Sequence, residues 1–104
     1  MPLSKPCYED YVNHAMRFYT RNPALNMRKP GLKKTDIENW TTCNDAIRTF
    51  SEQEQVIITN IFKSKCSIPE SVRAMAGQLN VSENSVWQLL NSFSREVARK
   101  RGLI

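Results

Sequence analysis

Residues 74–87 read AMAGQLNVSENSVW, and this stretch decides the fold because it joins two runs of helical spacing. Apolar residues recur at three- and four-residue intervals on both sides of residues 80–82. Asn80 suits a left-handed C-terminal cap, and Ser82 suits the N-cap of a following helix. Ala76 supplies a small residue where the second helix packs closest. The spacing therefore predicts two helices that cross through a tight turn.

Aliphatic residues around this turn complete the pattern. Val86 and Leu89 lie early in the second helix, where they fix the crossing angle, and Leu79 and Val81 bracket the turn and are expected to contact the core. Gly77 lies too early to serve the turn and is expected to relieve crowding in the first helix. Together these positions predict a helix-turn-helix, although two amphipathic helices in any bundle can show similar spacing.

The chain before this stretch divides into a leader, a helix and a basic loop. Residues 1–7 carry two prolines and are expected to be a flexible leader. An apolar stripe predicts a first helix over residues 8–21, ending before Pro23. Residues 22–34, NPALNMRKPGLKK, then form a loop with four cations that is either a solvated connection or an arm that reaches phosphates.

Four further helices follow. Thr35-Asp36-Ile37-Glu38 has the form of a capping box and predicts a second helix. Ser51-Glu52-Gln53-Glu54 repeats that form before an almost all-round apolar run, which predicts a central, well-buried third helix. Ile68-Pro69 opens a fourth helix, and the fifth runs from Ser82 to about Arg101. We therefore predict an all-α fold of about five helices with a C-terminal helix-turn-helix.

Length and composition agree with one helical domain. The chain has 104 residues and only 3 glycines, which favours helices joined by short turns over a sandwich or barrel. We expect a single domain over residues 8–104, with N-terminal helices and the basic loop in 8–50 and the DNA-binding part in 51–104. The formal net charge of +5 favours an anionic partner such as nucleic acid.

Other function classes find no residues to support them. The three cysteines are widely spaced and the single histidine has no partner at ligand spacing, so no metal site, disulfide or cofactor is predicted. No phosphate-binding glycine loop or nucleophile–base motif points to an enzyme. No apolar run is long enough to cross a bilayer, and the N-terminus lacks a signal-peptide core, so we expect a cytoplasmic protein with no membrane partner.

The residues around the turn suit double-stranded DNA. The fifth helix begins with short polar residues that can enter a major groove, and its far end and the helix before it carry cations that can contact phosphates. The expected base-reading residues are Ser82, Glu83, Asn84, Ser85 and Gln88. The expected phosphate contacts are Lys63, Lys65, Arg73, Arg95, Arg99, Lys100 and Arg101.

Two of these surface residues have structural explanations as well. Glu83 can accept from a cytosine amino group, but a carboxylate in the first turn of a helix also complements the helix dipole. Trp87 lies one residue off the buried stripe, so half-buried packing is favoured over contact with a thymine methyl group.

Residues from about 46 to 101 resemble region 4 of the bacterial sigma-70 family. AIRTFSEQEQVIITNIF resembles the opening helices of that region, and SIPESVRAMAGQLNVSENSVWQLLNSFSREVARKR resembles its helix-turn-helix and trailing basic helix. The resemblance implies binding of promoter-like duplex, with RNA polymerase as a second partner. The chain is too short for a complete sigma factor, which favours a half-length regulator of the kind found in phages and mobile elements.

The sequence departs from that family on the outer face of the fifth helix. Gln88 and Asn91 stand where the family usually has arginines, so reading of the usual promoter hexamer is not expected. Two rival functions remain open, an interaction adaptor that binds RNA polymerase or a phage protein without reading DNA, and the DNA-recognition subunit of a packaging or recombination complex. Aromatic residues of the first two helices, with Phe18 expected to be exposed, offer a face for a homodimer.

Overall fold

The computed structural model describes residues 8–22 and 31–103, and within them the chain forms five α-helices and no strand. The all-α prediction is confirmed. The predicted leader and most of the basic loop lie outside the described residues. The helices are α1 (Glu9–Arg21), α2 (Lys34–Ile47), α3 (Glu52–Lys63), α4 (Ile68–Leu79) and α5 (Glu83–Arg101).

Serine side chains cap α3, α4 and α5. The caps at Ser51 and Ser82 are those that the sequence predicts, and the cap at Ser67 is not among them. The Ser51 side chain accepts from the Glu54 amide while the Glu54 carboxylate accepts from the Ser51 amide, so a complete capping box opens α3. Ser67 accepts from the Glu70 amide at the start of α4, whose first turn holds a proline. Each such cap satisfies an amide that has no partner within the helix.

The capping box predicted at Thr35 is wrong. Helix α2 begins at Lys34, with Lys33 in extended geometry at the N-cap and no side-chain cap. Thr35 therefore lies inside the first turn, where it cannot cap. The Glu38 carboxylate, which was to complete the box, instead accepts from Arg101 at 3.0 Å. A contact with α5 has replaced the local one.

The core contains buried side chains from all five helices. Phe93 of α5 is fully buried, with its ring 5.8 Å from that of Phe50 and 6.2 Å from that of Phe62. Helix α5 also contacts each of the other four described helices. The buried residues of this core cluster are Val12, Ala15, Met16, Cys43, Ala46, Ile47, Ile58, Ile61, Phe62, Val72, Ala76, Val86, Leu90, Phe93 and Val97.

Three predicted core contacts are wrong. Val56 is 58% exposed, so α3 is buried along one side and not all round. Leu79 and Val81 are 36% and 46% exposed, because the turn lies at the rim of the core where few neighbours cover a side chain. Gly77 does not relieve crowding, since a Cβ added there would meet no atom within 4 Å.

Polar contacts fasten α1 to α2. Tyr11 donates to the Asn39 side chain, and Tyr19 donates to Asn44 at 2.9 Å. Burial raises the pKa of both tyrosines, so both hydroxyls keep their protons well into the alkaline range. Phe18, expected to be exposed, is half-buried.

The two cysteines that the structure describes lie in different surroundings. Cys43 is fully buried, and burial raises the pKa of its thiol to about 12, whereas Cys66 is exposed in the turn before α4. A buried protonated thiol packs as a small apolar side chain. Cys43 is therefore part of the core.

Within the described residues, no helix has the length and apolar character needed to cross a membrane.

Shortening Phe93 should remove the centre of this core. We expect Phe93→Ala to lower the free energy of unfolding by about 3–5 kcal/mol, because it removes buried surface and leaves a cavity. Val56→Ala, at a position that is 58% exposed on α3, serves as the control and should cost less than about 0.5 kcal/mol. Urea unfolding followed by circular dichroism measures both. Equal losses for the two variants would contradict this core.

Candidate nucleic-acid interface

The turn between α4 and α5 is closed by two backbone hydrogen bonds. Asn80 has φ 56° and ψ 45°, the left-handed geometry expected from the sequence. Its amide donates to the Gly77 carbonyl at 3.4 Å, and the Val81 amide donates to the Ala76 carbonyl at 3.1 Å. This pair of bonds is the Schellman motif, which satisfies carbonyls at the end of a helix. The turn is therefore short and fixed by the backbone itself.

Helix α5 starts immediately after this turn with a serine cap. The Ser82 side chain accepts from the Ser85 amide at 3.2 Å, and the two hydroxyl oxygens lie 2.9 Å apart. Both serines are exposed, but their hydroxyls already form hydrogen bonds with each other. Of the five expected base-reading residues, Ser82 thus caps the helix and Ser85 hydrogen-bonds to that cap.

Glu83 also has a partner within the chain. Its carboxylate lies 3.9 Å from the Arg73 guanidinium of α4, across the turn. The side chains are 52% and 74% exposed, so this pair contributes little to stability and can separate at low cost. The structure thus places Glu83, an expected base-reading residue, beside Arg73, an expected phosphate contact.

The outer face of α5 carries a row of exposed polar side chains. Residues 84, 88, 91, 95 and 99 follow each other at three- or four-residue spacing, which places them on one side of the helix. The row begins with the amides Asn84, Gln88 and Asn91 and ends with Arg95 and Arg99. It extends about 22 Å at 1.5 Å per residue, and the buried side chains of α5 occupy the opposite face.

Glu96 pairs with the cations at the far end of this row. It accepts from Arg99 at 3.2 Å and lies 3.7 Å from the Lys100 ammonium. The hydrogen bond from Arg99 lowers the pKa of the Glu96 carboxyl, because it stabilises the ionised form. One carboxylate thus offsets part of the positive charge of Arg99 and Lys100.

Arg101 does not belong to the exposed row. Its guanidinium donates to the Tyr11 hydroxyl at 3.1 Å and to the Glu38 carboxylate at 3.0 Å. Only 32% of its side chain is exposed. Arg101 therefore joins α5 with α1 and α2, and its expected contact with phosphate stays a prediction.

A second group of cations lies at the turn between α3 and α4. Lys63 ends α3, and Lys65 lies in the turn that follows; both are exposed. Arg17 of α1 reaches the same turn, where it donates to the Ser64 carbonyl at 3.2 Å and to the Cys66 carbonyl at 3.5 Å. Sequence reasoning missed Arg17, because nothing local links it to a turn 47 residues away.

Across residues 8–22 and 31–103, no three His, Cys, Asp or Glu side chains lie close enough together to hold a metal ion. Comparisons with protein-family models, with curated proteins and with solved structures give no match to this chain.

Alanine should have opposite effects at two positions of this turn. Asn80→Ala should cost about 1 kcal/mol of unfolding free energy, because the left-handed geometry disfavours a Cβ. Gly77→Ala should gain up to about 1 kcal/mol, because its site is helical and open and alanine is the better helix former. Urea unfolding measures both, with Asn80→Gly as a variant expected to keep the wild-type value. An Asn80→Ala variant with the wild-type free energy of unfolding would contradict the left-handed geometry of the turn.

Proposed function

We propose that this protein is a sequence-specific DNA-binding regulator of transcription that uses α4 and α5 as a helix-turn-helix. The observation that carries the proposal is the exposed row on α5, in which amide side chains near the turn lead into arginines. Amides suit base edges and arginines suit phosphates, so the row matches the two kinds of contact that a recognition helix makes. The fixed left-handed turn before α5 agrees with this motif.

In this proposal the N-terminal half of α5 enters the major groove. Asn84 and Gln88 read adenine through paired contacts of their amide groups. Ser82 and Ser85 hold the start of the helix and lie beside the same base edges. Glu83 accepts from a cytosine amino group once a phosphate replaces it as the partner of Arg73.

Cations on both sides of the groove then anchor the duplex. Arg95, Arg99 and Lys100 contact phosphates at the far end of α5, and Arg73 contacts them from α4. Lys63 and Lys65 reach the backbone from the turn before α4. These contacts set affinity and orientation, while the amides set sequence preference.

The resemblance to region 4 of sigma-70 factors suggests where such a protein acts. A promoter-like duplex is the proposed target and RNA polymerase is the proposed second partner, both in the cytoplasm. A homodimer has less support, since Tyr11 and Tyr19 of α1 donate to side chains of α2 within the chain and Phe18 is half-buried. Sedimentation of the free protein and of its DNA complex measures the stoichiometry.

An adaptor that binds RNA polymerase without reading DNA is the second candidate. Gln88 and Asn91 leave the middle of the row uncharged, and Glu96 offsets part of the charge at its end. Pull-down of purified RNA polymerase by the chain, with and without duplex DNA, separates the two candidates. Polymerase capture without affinity for any duplex at low ionic strength would replace the DNA-binding proposal with the adaptor.

Arg95→Ala should weaken binding to every duplex to a similar degree. Each phosphate contact releases counterions, so losing one should lower the slope of log K against log salt by about 0.9. Arg48→Ala is the matched control, because Arg48 is an exposed arginine at the end of α2 and its loss changes the net charge equally. Fluorescence anisotropy across a salt series measures both slopes. Equal changes for the two variants would argue against a specific phosphate contact.

Gln88→Ala should act on sequence preference. Selection of bound duplexes from a random pool first defines the preferred site of the wild-type chain. The variant should lose about 1–3 kcal/mol on that site, relax the preference at one base pair and keep the wild-type salt slope. A variant that selects the same site with unchanged affinity would exclude Gln88 from base reading.

A further inference from the structure

The turn that joins α3 to α4 is held by a side chain from a distant helix. Lys63 is the last residue of α3, and Ser67 caps α4, so the chain changes direction within three residues. The carbonyls of Ser64 and Cys66 lie between the two helices, so neither helix supplies them with a partner. Here Arg17 of α1 donates one nitrogen to the Ser64 carbonyl at 3.2 Å and another to the Cys66 carbonyl at 3.5 Å.

The planar guanidinium is the feature that lets one side chain hold both carbonyls. Its nitrogens present hydrogens in a fixed fork, whereas a lysine ammonium acts as a single compact charge. Two shorter bonds complete the turn, from the Ser64 amide to the Asn60 carbonyl at 3.1 Å and from the Cys66 amide to the Ser64 hydroxyl at 3.1 Å. These two bonds are local, so Arg17 supplies the link between the turn and α1.

The turn also carries two of the cations of the proposed interface. Lys63 and Lys65 flank Ser64, whose carbonyl accepts from Arg17. An exposed lysine side chain is flexible, so the direction of its backbone decides which phosphates it can reach. If α5 lies in the groove, the lysines must meet the phosphate backbone from a fixed position relative to α4.

We propose that Arg17 is a positioning residue for DNA binding, which fixes the turn between α3 and α4 so that Lys63 and Lys65 meet phosphates while α5 occupies the major groove. The inference rests on the proposed function and extends it to α1, which lies outside the helix-turn-helix. Arg17 acts through the two lysines, and its own charge is not the essential property.

The test uses Arg17→Lys, which keeps the charge and removes the fork. Amide hydrogen exchange of residues 64–67, followed by NMR without DNA, should become several-fold faster, because the turn loses its link to α1. Affinity for the selected duplex should fall about tenfold, and the salt slope should fall by up to about 1.8 as two phosphate contacts weaken. Arg21→Lys, the same change at an exposed position of α1, should leave all three quantities at wild-type values.

A double-variant comparison isolates the coupling to the lysines. In a chain that already carries Lys63→Ala and Lys65→Ala, Arg17→Lys should have little further effect on affinity, because the residues it positions are gone. Circular dichroism melting checks that each variant folds. If the Arg17→Lys variant binds the duplex as tightly as the wild-type chain, this inference is overturned and the proposed function stands. The same holds if Arg17→Lys still costs tenfold in affinity in the chain that carries Lys63→Ala and Lys65→Ala.

The outcome for the wild-type chain separates the two proposals. A wild-type chain without affinity for any duplex overturns both the DNA-binding function and this role of Arg17. A third variant, Arg17→Gln, removes the charge as well as the fork. If only Arg17→Gln lowers the affinity, and hydrogen exchange of residues 64–67 is unchanged in both variants, the charge of Arg17 acts directly on DNA. That result overturns the positioning role.

Discussion

The burial of one face of α5 is the constraint on which the rest of this structure depends. Phe93 lies at the centre of that face, against Phe50 and Phe62, and α5 contacts each of the other described helices. The same helical period that puts residues 86, 90, 93 and 97 inside leaves residues 84, 88, 91 and 95 outside. Core packing therefore sets the direction in which the candidate interface faces, and one helix performs both tasks.

Long-range arginine contacts add to that packing at both ends of the proposed DNA-binding unit. Arg101 joins the end of α5 to Tyr11 and Glu38, and Arg17 joins α1 to the turn before α4. The Arg17 guanidinium donates to two carbonyls and the Arg101 guanidinium to three side chains, which suits the guanidinium fork of donors. Helices α1 and α2 thus brace the two later helices that the proposed function uses, and their own surfaces need not touch DNA.

The sequence predicts the features of this fold that depend on local chemistry. The serine caps at α3 and α5 and the left-handed Asn80 follow from backbone rules that act over four or five residues. Most of the failures depend on distant residues. Glu38 pairs with Arg101 and not with the predicted cap at Thr35, and the exposure of Val56, Leu79 and Val81 depends on which neighbours cover them. Exposed positions such as Asn84 could be named from periodicity, but the two arginine braces could not, because no local pattern encodes a contact across 47 or more residues.

The carboxylates among the interface cations bear on how such a protein would select a site. Non-specific DNA binding is almost entirely electrostatic, so under the proposed function Glu83 beside Arg73 and Glu96 beside Arg99 would lower the affinity for arbitrary duplex. Hydrogen bonds from neutral amide side chains to bases carry no net charge, so these carboxylates do not weaken them in the same way. For a regulator that must find one site among a large excess of others, the ratio of specific to non-specific affinity matters more than either value alone. Under the proposed function, the uncharged row of α5 and its neighbouring carboxylates are consistent with selectivity, because they weaken the attraction that every duplex shares and leave the contacts that only the correct sequence provides.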